Sequence, residues 1–293
     1  MLMKEAYHIL QSDLSTLYDN REAANIADWV MEDITKWTKS QQIIHHNQPL
    51  SDEQVDVLLH FKNELQQGRP IQYILGYSWF RGLQLKVNEH VLIPRPETEE
   101  IIEAIKKYHA QNKHVGDINL KAMDIGTGSG CIAIALQHEF ADWEVWAVDT
   151  SATALSIATE NAKQLNLEIH FKQADILTDL KIDHLPVFDL IVSNPPYIPI
   201  ENKEEMTKQV LNHEPHLALF ISNKDPLQFY KAIVKFSEFH LRRGGTLWFE
   251  THMDYANDVA TFLRENDYEN VFVLKDFQGK DRIVTAKKTG DSL

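Results

Sequence analysis

Between about residue 118 and residue 286 the chain alternates strand-like and helix-like segments, and this alternation limits its fold more than any other feature. Leu120–Asp124, Glu144–Asp149, Ile169–Gln173, Leu190–Ser193 and Thr246–Glu250 read as strands, and the apolar run Phe188–Ser193 reads as a buried one. Longer segments with helical spacing separate most of them: Cys131–His138, Ala152–Leu165, Leu227–Leu241 and Tyr255–Glu265. Strand and helix in turn imply a largely parallel sheet covered by helices on both faces. Two further strands, Val271–Lys275 and Arg282–Ala286, are joined by only Asp276-Phe277-Gln278-Gly279-Lys280-Asp281. That link is too short for a helical crossover, so this last pair is expected to be antiparallel.

The first third has a different grain. Ala23, Ile26, Ala27, Val30, Met31 and Ile34 fall at three- and four-residue steps in a helix over Glu22–Thr35. Ser51 with Gln54 three residues later makes a capping box for a helix over Asp52–Gln67, and Gly68 suits its C-terminus. Residues 79–97 alternate around Gly82 and end in a stretch stiffened by Pro94 and Pro96. The expected organisation is a helical bundle over 1–78, a hairpin connector over 79–97 and an α/β domain over 98–293.

Bulk properties narrow the function. A formal net charge of -14 counts against nonspecific nucleic-acid binding, which depends on Lys and Arg neutralising phosphates. Cys131 is the single cysteine, so no internal disulfide forms. No apolar run is long enough for a membrane span, and the first residues lack the pattern of a secretory signal. The expectation is a cytoplasmic protein. No Cys/His spacing of metal-site type accompanies the pair His45-His46, so no metal is expected.

Open parallel sheets bind ligands beyond the carboxyl ends of their strands. After the first strand comes Gly126-Thr127-Gly128-Ser129-Gly130, a turn that lets a ligand approach backbone closely. Asp149 ends the second strand, where a carboxylate can accept bonds from ribose hydroxyls or cap the next helix. Asp175-Ile176 follows the third strand and can flank an adenine. Asp124, just ahead of the glycine turn, is a poor neighbour for a pyrophosphate and a good one for a ligand carrying an ammonium and a sulfonium. Cys131 is expected to be a small buried residue of the first helical turn.

The fourth strand ends in Asn194-Pro195-Pro196-Tyr197. Neither proline has an N–H, so this corner is rigid and rich in acceptors. The Asn194 side-chain oxygen and the Pro195 carbonyl can take the two hydrogens of a flat NH2 group, with Tyr197 against its plane. Such a corner suits an amide or amino nitrogen about to be alkylated.

The glycine turn, Asp149 and Asn194-Pro195-Pro196-Tyr197 together resemble the class I S-adenosylmethionine-dependent methyltransferases that act on nitrogen. More narrowly, the chain resembles the protein N5-glutamine methyltransferases of peptide chain release factors. Pro70-Ile71-Gln72-Tyr73-Ile74-Leu75-Gly76, Leu92-Ile93-Pro94-Arg95-Pro96-Glu97-Thr98-Glu99, Glu214-Pro215, Gly244-Gly245 and Gly279-Lys280-Asp281-Arg282 carry this likeness along nearly the whole chain. The resemblance implies a seven-stranded Rossmann-like domain behind a small helical domain and a hairpin. It implies S-adenosylmethionine as donor, S-adenosylhomocysteine as product, and the glutamine of a release factor's Gly-Gly-Gln loop as acceptor. The expected partners are class I release factors, with no direct nucleic acid and no membrane, and the chain is expected to be a monomer. Ile176, Thr251-His252 and Asp225-Pro226 depart from the family's usual residues. Two other readings stand beside it: an adenine-N6 methyltransferase of nucleic acid, and a noncatalytic binding module that keeps the fold.

Overall fold

The computed structural model describes residues 1–112, 119–179, 181–221 and 225–290. They form two units, one of residues 1–76 with 207–213 and one of 77–206 with 214 onward. The end of the α/β domain at 293 lies outside the described residues.

The first unit is helical. It contains α1 (Met3–Leu14), α2 (Asn20–Thr35), α3 (Lys39–Ile44), α4 (Asp52–Gln66) and α5 (Ile71–Leu75). Asp19 caps α2 by accepting from the N–H groups of Arg21 and Glu22, and Ser51 with Gln54 closes a capping box on α4. The apolar stripe of α2 is buried at every position that its spacing marks, and it packs with Leu10, Leu14, Leu58 and Leu65. Each Val, Leu, Ile or Met side chain so removed from water contributes roughly 1.5–3 kcal/mol. Sequence spacing alone does not mark α1, α3 and α5. α3 and α5 are too short to show a helical period, and α1 shows only three widely spaced buried contacts after Met3.

The second unit opens with β1 (Tyr77–Phe80) and β2 (Leu83–Lys86), an antiparallel hairpin turned at Arg81-Gly82. The hairpin is shorter than the stretch expected to 97. α6 (Pro96–Asn112) starts instead at Pro96, where the fixed proline φ suits a first helical position. Glu97 and Glu99 favour its first turn, and Ile101, Ile102 and Ile105 bury its inner side. Then follow β3 (Lys121–Ile125), α7 (Cys131–Glu139), β4 (Glu144–Asp149), α8 (Ala152–Gln164), β5 (Ile169–Gln173) and β6 (Phe188–Ser193). β7 (Ile198–Pro199) pairs with β8 (Phe220–Ile221). Between them lie α9 (Lys208–His213), assigned to the first unit, and α10 (His216–Leu219). The chain ends with α11 (Gln228–His240), β9 (Leu241–Glu250), α12 (Ala256–Arg264), β10 (Tyr268–Lys275) and β11 (Asp281–Lys288).

Seven strands form one sheet in the order β10-β11-β9-β6-β3-β4-β5. β9, β6, β3, β4 and β5 run parallel, while β10 and β11 pair antiparallel to each other and β11 antiparallel to β9. This is the α/β fold expected, antiparallel pair included. One apolar layer holds Met123, Ile191, Phe249 and Tyr230; the other holds Ile101, Ala133, Val192 and Trp248. Because β3 lies between β4 and β6, the turns after all three open at the same edge. Among the described residues no helix is long and apolar enough to cross a membrane.

Candidate active site

A cavity of about 360 Å³ lies at that edge, within the range of small-molecule sites. Its wall takes Gly126 and Gly128 from the turn after β3, and Asp149 from the end of β4. Asp175 and Ile176 line it after β5, and Asn194, Pro195 and Pro196 after β6. Four strand ends therefore meet at one space. Thr127, Ser129, Gly130 and Tyr197 lie outside its wall.

The glycines divide into two kinds. Gly126 and Gly128 have φ of +74° and +55°, and a Cβ built on either meets no protein atom within 4 Å. Their open side belongs to the cavity, so a bound molecule can rest against backbone there. Gly130 has φ of +84°, and a Cβ there would stand 3.1 Å from both Ala158 Cβ and Ile134 Cδ1. It serves the packing of α7 on α8. Thr127 is buried and donates to Asp124 Oδ2 at 2.6 Å. The Ser129 carbonyl accepts from Asn161 Nδ2 at 2.9 Å, and the same amide brackets the Lys86 N–H and carbonyl. Asn161 thus ties the glycine turn to the hairpin.

Asp149 holds the turn from the other side. Its Oδ2 accepts from the Gly128 N–H at 2.8 Å and its Oδ1 from the Ser151 N–H at 2.9 Å. Each oxygen keeps a lone pair for a ligand hydroxyl. The cap of α8 is Ser151, not Asp149. Burial, partly offset by these backbone bonds, raises the Asp149 carboxyl above its ordinary value. Asp175 Oδ1 accepts from the Leu177 N–H at 2.9 Å, which folds the loop after β5.

Asp124 does not face the ligand space as its sequence neighbourhood suggests. It is fully buried, and its Oδ2 accepts from Thr127 and from the Ala133 N–H. Burial pushes its carboxyl up to about 7, and among the described residues Oδ1 has no hydrogen-bond partner. A carboxyl raised above its unfolded value keeps a proton in the fold that the unfolded chain has lost. Its stabilising effect is complete below about pH 4 and fades as pH rises to about 7. Asp124→Asn should therefore flatten the fall in stability across that window by up to about 1.4 kcal/mol per pH unit. Denaturant titrations at several pH values check this; an unchanged slope would count against the raised carboxyl. Cys131 opens α7 half-buried, and burial pushes its thiol up to about 12, leaving no thiolate at neutral pH.

At the proline corner, the Asn194 Nδ2 group donates to Thr98 Oγ1 at 3.2 Å. Among the described residues, neither Asn194 Oδ1 nor the Pro195 carbonyl accepts a hydrogen bond. Tyr197 sits half-buried on the other side of the corner, its ring 6.0 Å from that of His252. Burial raises its hydroxyl well above the ordinary phenol. Two polar residues here escaped sequence reading. Thr98 is buried in the first turn of α6, and Glu250 is buried at the end of β9, the strand beside β6. The strand-end rule that picked out Asn194 applies equally to Glu250. The cavity is completed by Val91 and Leu92 ahead of α6 and by Pro215 and Leu217 at α10. Arg95 ties these segments together through a 2.6 Å ion pair with the buried Glu214.

The chain matches two family models: the PrmC N-terminal domain over residues 5–76 and the methyltransferase small domain over residues 109–218. Among solved structures, the hMettl16 catalytic domain in complex with a MAT2A 3′UTR hairpin aligns with a TM-score of 0.57 at 18% identity. That alignment covers 92% of this chain and 91% of the other. A methyltransferase from Pyrococcus furiosus aligns at 0.52 with 16% identity, covering 82% and 100%. At such identities these likenesses speak for the fold alone. Curated relatives speak for more. The release factor glutamine methyltransferase of Bacteroides thetaiotaomicron is 43% identical over 76% of this chain and 78% of its own length. That of Flavobacterium psychrophilum is 36% identical over 97% of this chain and 98% of its own. On a match of that extent and identity, joined to a methyltransferase sheet whose strand ends converge on one cavity, the chain belongs to the release factor glutamine methyltransferase family.

Proposed function

We propose that this protein transfers a methyl group from S-adenosylmethionine to the side-chain nitrogen of the glutamine in the Gly-Gly-Gln loop of class I peptide chain release factors. One observation carries the reading: two unpartnered acceptors, Asn194 Oδ1 and the Pro195 carbonyl, share a cavity wall with an open glycine turn and Asp149. The residues present fit the donor. Gly126 and Gly128 leave room against backbone, Asp149 offers lone pairs to a ribose diol, and Ile176 gives an apolar surface for an adenine beside Asp175. The donor, when bound, supplies an electrophilic methyl on a sulfonium.

A carboxamide nitrogen is a weak nucleophile because its lone pair is spread into the carbonyl. Asn194 Oδ1 and the Pro195 carbonyl accept its two hydrogens and favour a more pyramidal nitrogen with the lone pair directed at the methyl. Tyr197, expected from sequence against the amide plane, lies outside the cavity wall and is assigned no contact with the substrate. The N–C bond forms as the C–S bond breaks, and the nitrogen then sheds one proton, acidic only after methylation. No general base has to act first, so positioning and charge placement supply the catalysis. The Pro195 carbonyl needs no reorganisation because two prolines lock the backbone of the corner.

The test is transfer of labelled methyl from S-adenosylmethionine to purified release factor, to a release factor with the loop glutamine changed to glutamate, and to DNA and RNA. Label on the first alone is the expected result. Label on nucleic acid in preference to protein would overturn the reading.

A further inference from the structure

Asn194 is the residue on which the proposed chemistry turns, yet a carboxamide is nearly symmetric in shape. Turned over, it would present two N–H groups to the substrate nitrogen instead of an acceptor. Something has to hold it the right way round, and Pro195 fixes only the backbone.

Thr98 Oγ1 lies between two groups. It donates to Glu250 Oε2 at 2.6 Å and accepts from Asn194 Nδ2 at 3.2 Å. Thr98 and Glu250 are each 2% exposed, so no bulk water competes for these bonds. A hydroxyl has one proton, and an ionised carboxylate can only accept. With its proton committed to Glu250, Thr98 offers Asn194 only lone pairs. Asn194 answers with its N–H, and its Oδ1 is left for the cavity. The three groups come from α6, the end of β9 and the corner after β6, and β9 is the sheet neighbour of β6.

We propose that Glu250 and Thr98 are positioning residues forming a polarity relay, which sets the orientation of the Asn194 carboxamide so that an oxygen faces the substrate nitrogen. This rests on the function proposed above and adds residues that touch neither substrate nor donor.

The relay has a built-in pH dependence. A protonated Glu250 can itself donate to Thr98, freeing the Thr98 proton to bond Asn194 Oδ1 and turn the amide over. Burial pushes the Glu250 carboxyl up to about 7, against the hydrogen bond from Thr98. Arg282 from β11 and Arg95 ahead of α6 favour the ionised form, and Glu97 from α6 opposes it. Tyr197 after β6, Tyr230 of α11 and Cys131 of α7 also face it, and the Tyr230 hydroxyl donates to the Glu250 carbonyl at 3.2 Å. The acceptor-out orientation belongs to the ionised state, so turnover should rise with pH through about 7.

The experiment compares wild type, Thr98→Val, Thr98→Ser and Asn194→Ala with S-adenosylmethionine and intact release factor. Thr98→Val keeps the shape and removes the hydroxyl. It should lower kcat about 10- to 100-fold, flatten the pH step, and leave the dissociation constant of S-adenosylmethionine within about twofold by calorimetry. Thr98→Ser should recover most of the loss and the step. In the donor-free wild-type protein, the side-chain amide NMR resonances of Asn194 should titrate near pH 7, and this reading needs no variant to fold. Wild-type turnover in Thr98→Val beside an inactive Asn194→Ala would overturn the relay and leave the proposed function standing. A donor dissociation constant raised as far as kcat falls, or Asn194 resonances unmoved between about pH 6 and about pH 8, roughly one unit either side of the expected step, would overturn it as well. Full turnover in Asn194→Ala would instead remove the function on which the relay rests.

Discussion

Replacing Asn194 by Ala should lower methyl transfer to release factor by about 10²- to 10³-fold, the loss typical when one preorganised polar group is taken from a reacting centre. The substitution removes the Oδ1 acceptor and leaves the Pro195 carbonyl to orient the substrate NH2 alone. The glycine turn and Asp149 do not depend on this side chain, which among the described residues hydrogen-bonds Thr98. The dissociation constant of S-adenosylmethionine should stay within a few-fold of wild type. The effect therefore belongs in kcat, as expected for an interaction made chiefly in the transition state. Single-turnover kinetics at saturating donor separates the two quantities. A loss confined to donor affinity would mean that Asn194 belongs to the binding site and not to the reacting corner.

Replacing Asp149 by Ala should do the opposite. Its two oxygens hold the N–H groups of Gly128 and Ser151, and the side chain lines the cavity. Its loss removes the acceptors offered to a ribose diol and frees the glycine turn from β4. Hydrogen bonds to a charged group are worth roughly 1.5–3 kcal/mol, so the donor dissociation constant should rise about 10- to 100-fold. Calorimetry reads this directly. With donor raised to saturation, kcat should return to within an order of magnitude of wild type. A variant that binds S-adenosylmethionine normally would contradict the assignment of Asp149 to the donor.

The edge strand β5 has no buried residue, but the sequence carries the middle of the sheet plainly, because β3 and β6 are compact apolar runs. Buried on both faces, such strands cannot hide their composition. The antiparallel last pair is equally plain from a link too short for any crossover. α6 was less legible, since Pro94-Arg95-Pro96 reads as stiff extended chain. Its second proline is in fact the first residue of a helix whose apolar side only begins at Ile101. Strand ends pointed to Gly126, Gly128, Asp149, Asp175 and Asn194, all of which the sheet brings to one cavity.

Asp124 shows the limit of that logic. It stands one residue before the end of β3, so the pleat and the following turn direct it inward, to Thr127 and the Ala133 N–H. Thr127, Ser129 and Gly130 share the glycine-rich stretch but serve its folding and packing. Thr98 and Glu250 were out of reach for a different reason. They stand 152 positions apart and meet because α6 packs against β9, an arrangement that no local pattern encodes.

The central claim is that a proline-locked corner presents acceptors to a planar carboxamide next to the bound donor. Tandem mass spectrometry of release factor after incubation with S-adenosylmethionine and enzyme tests it most directly, with Asn194→Ala run in parallel. The account predicts one added methyl on the side-chain nitrogen of the loop glutamine with wild type, and almost none with the variant. A methyl found on any other residue, or equal modification by both proteins, would contradict it.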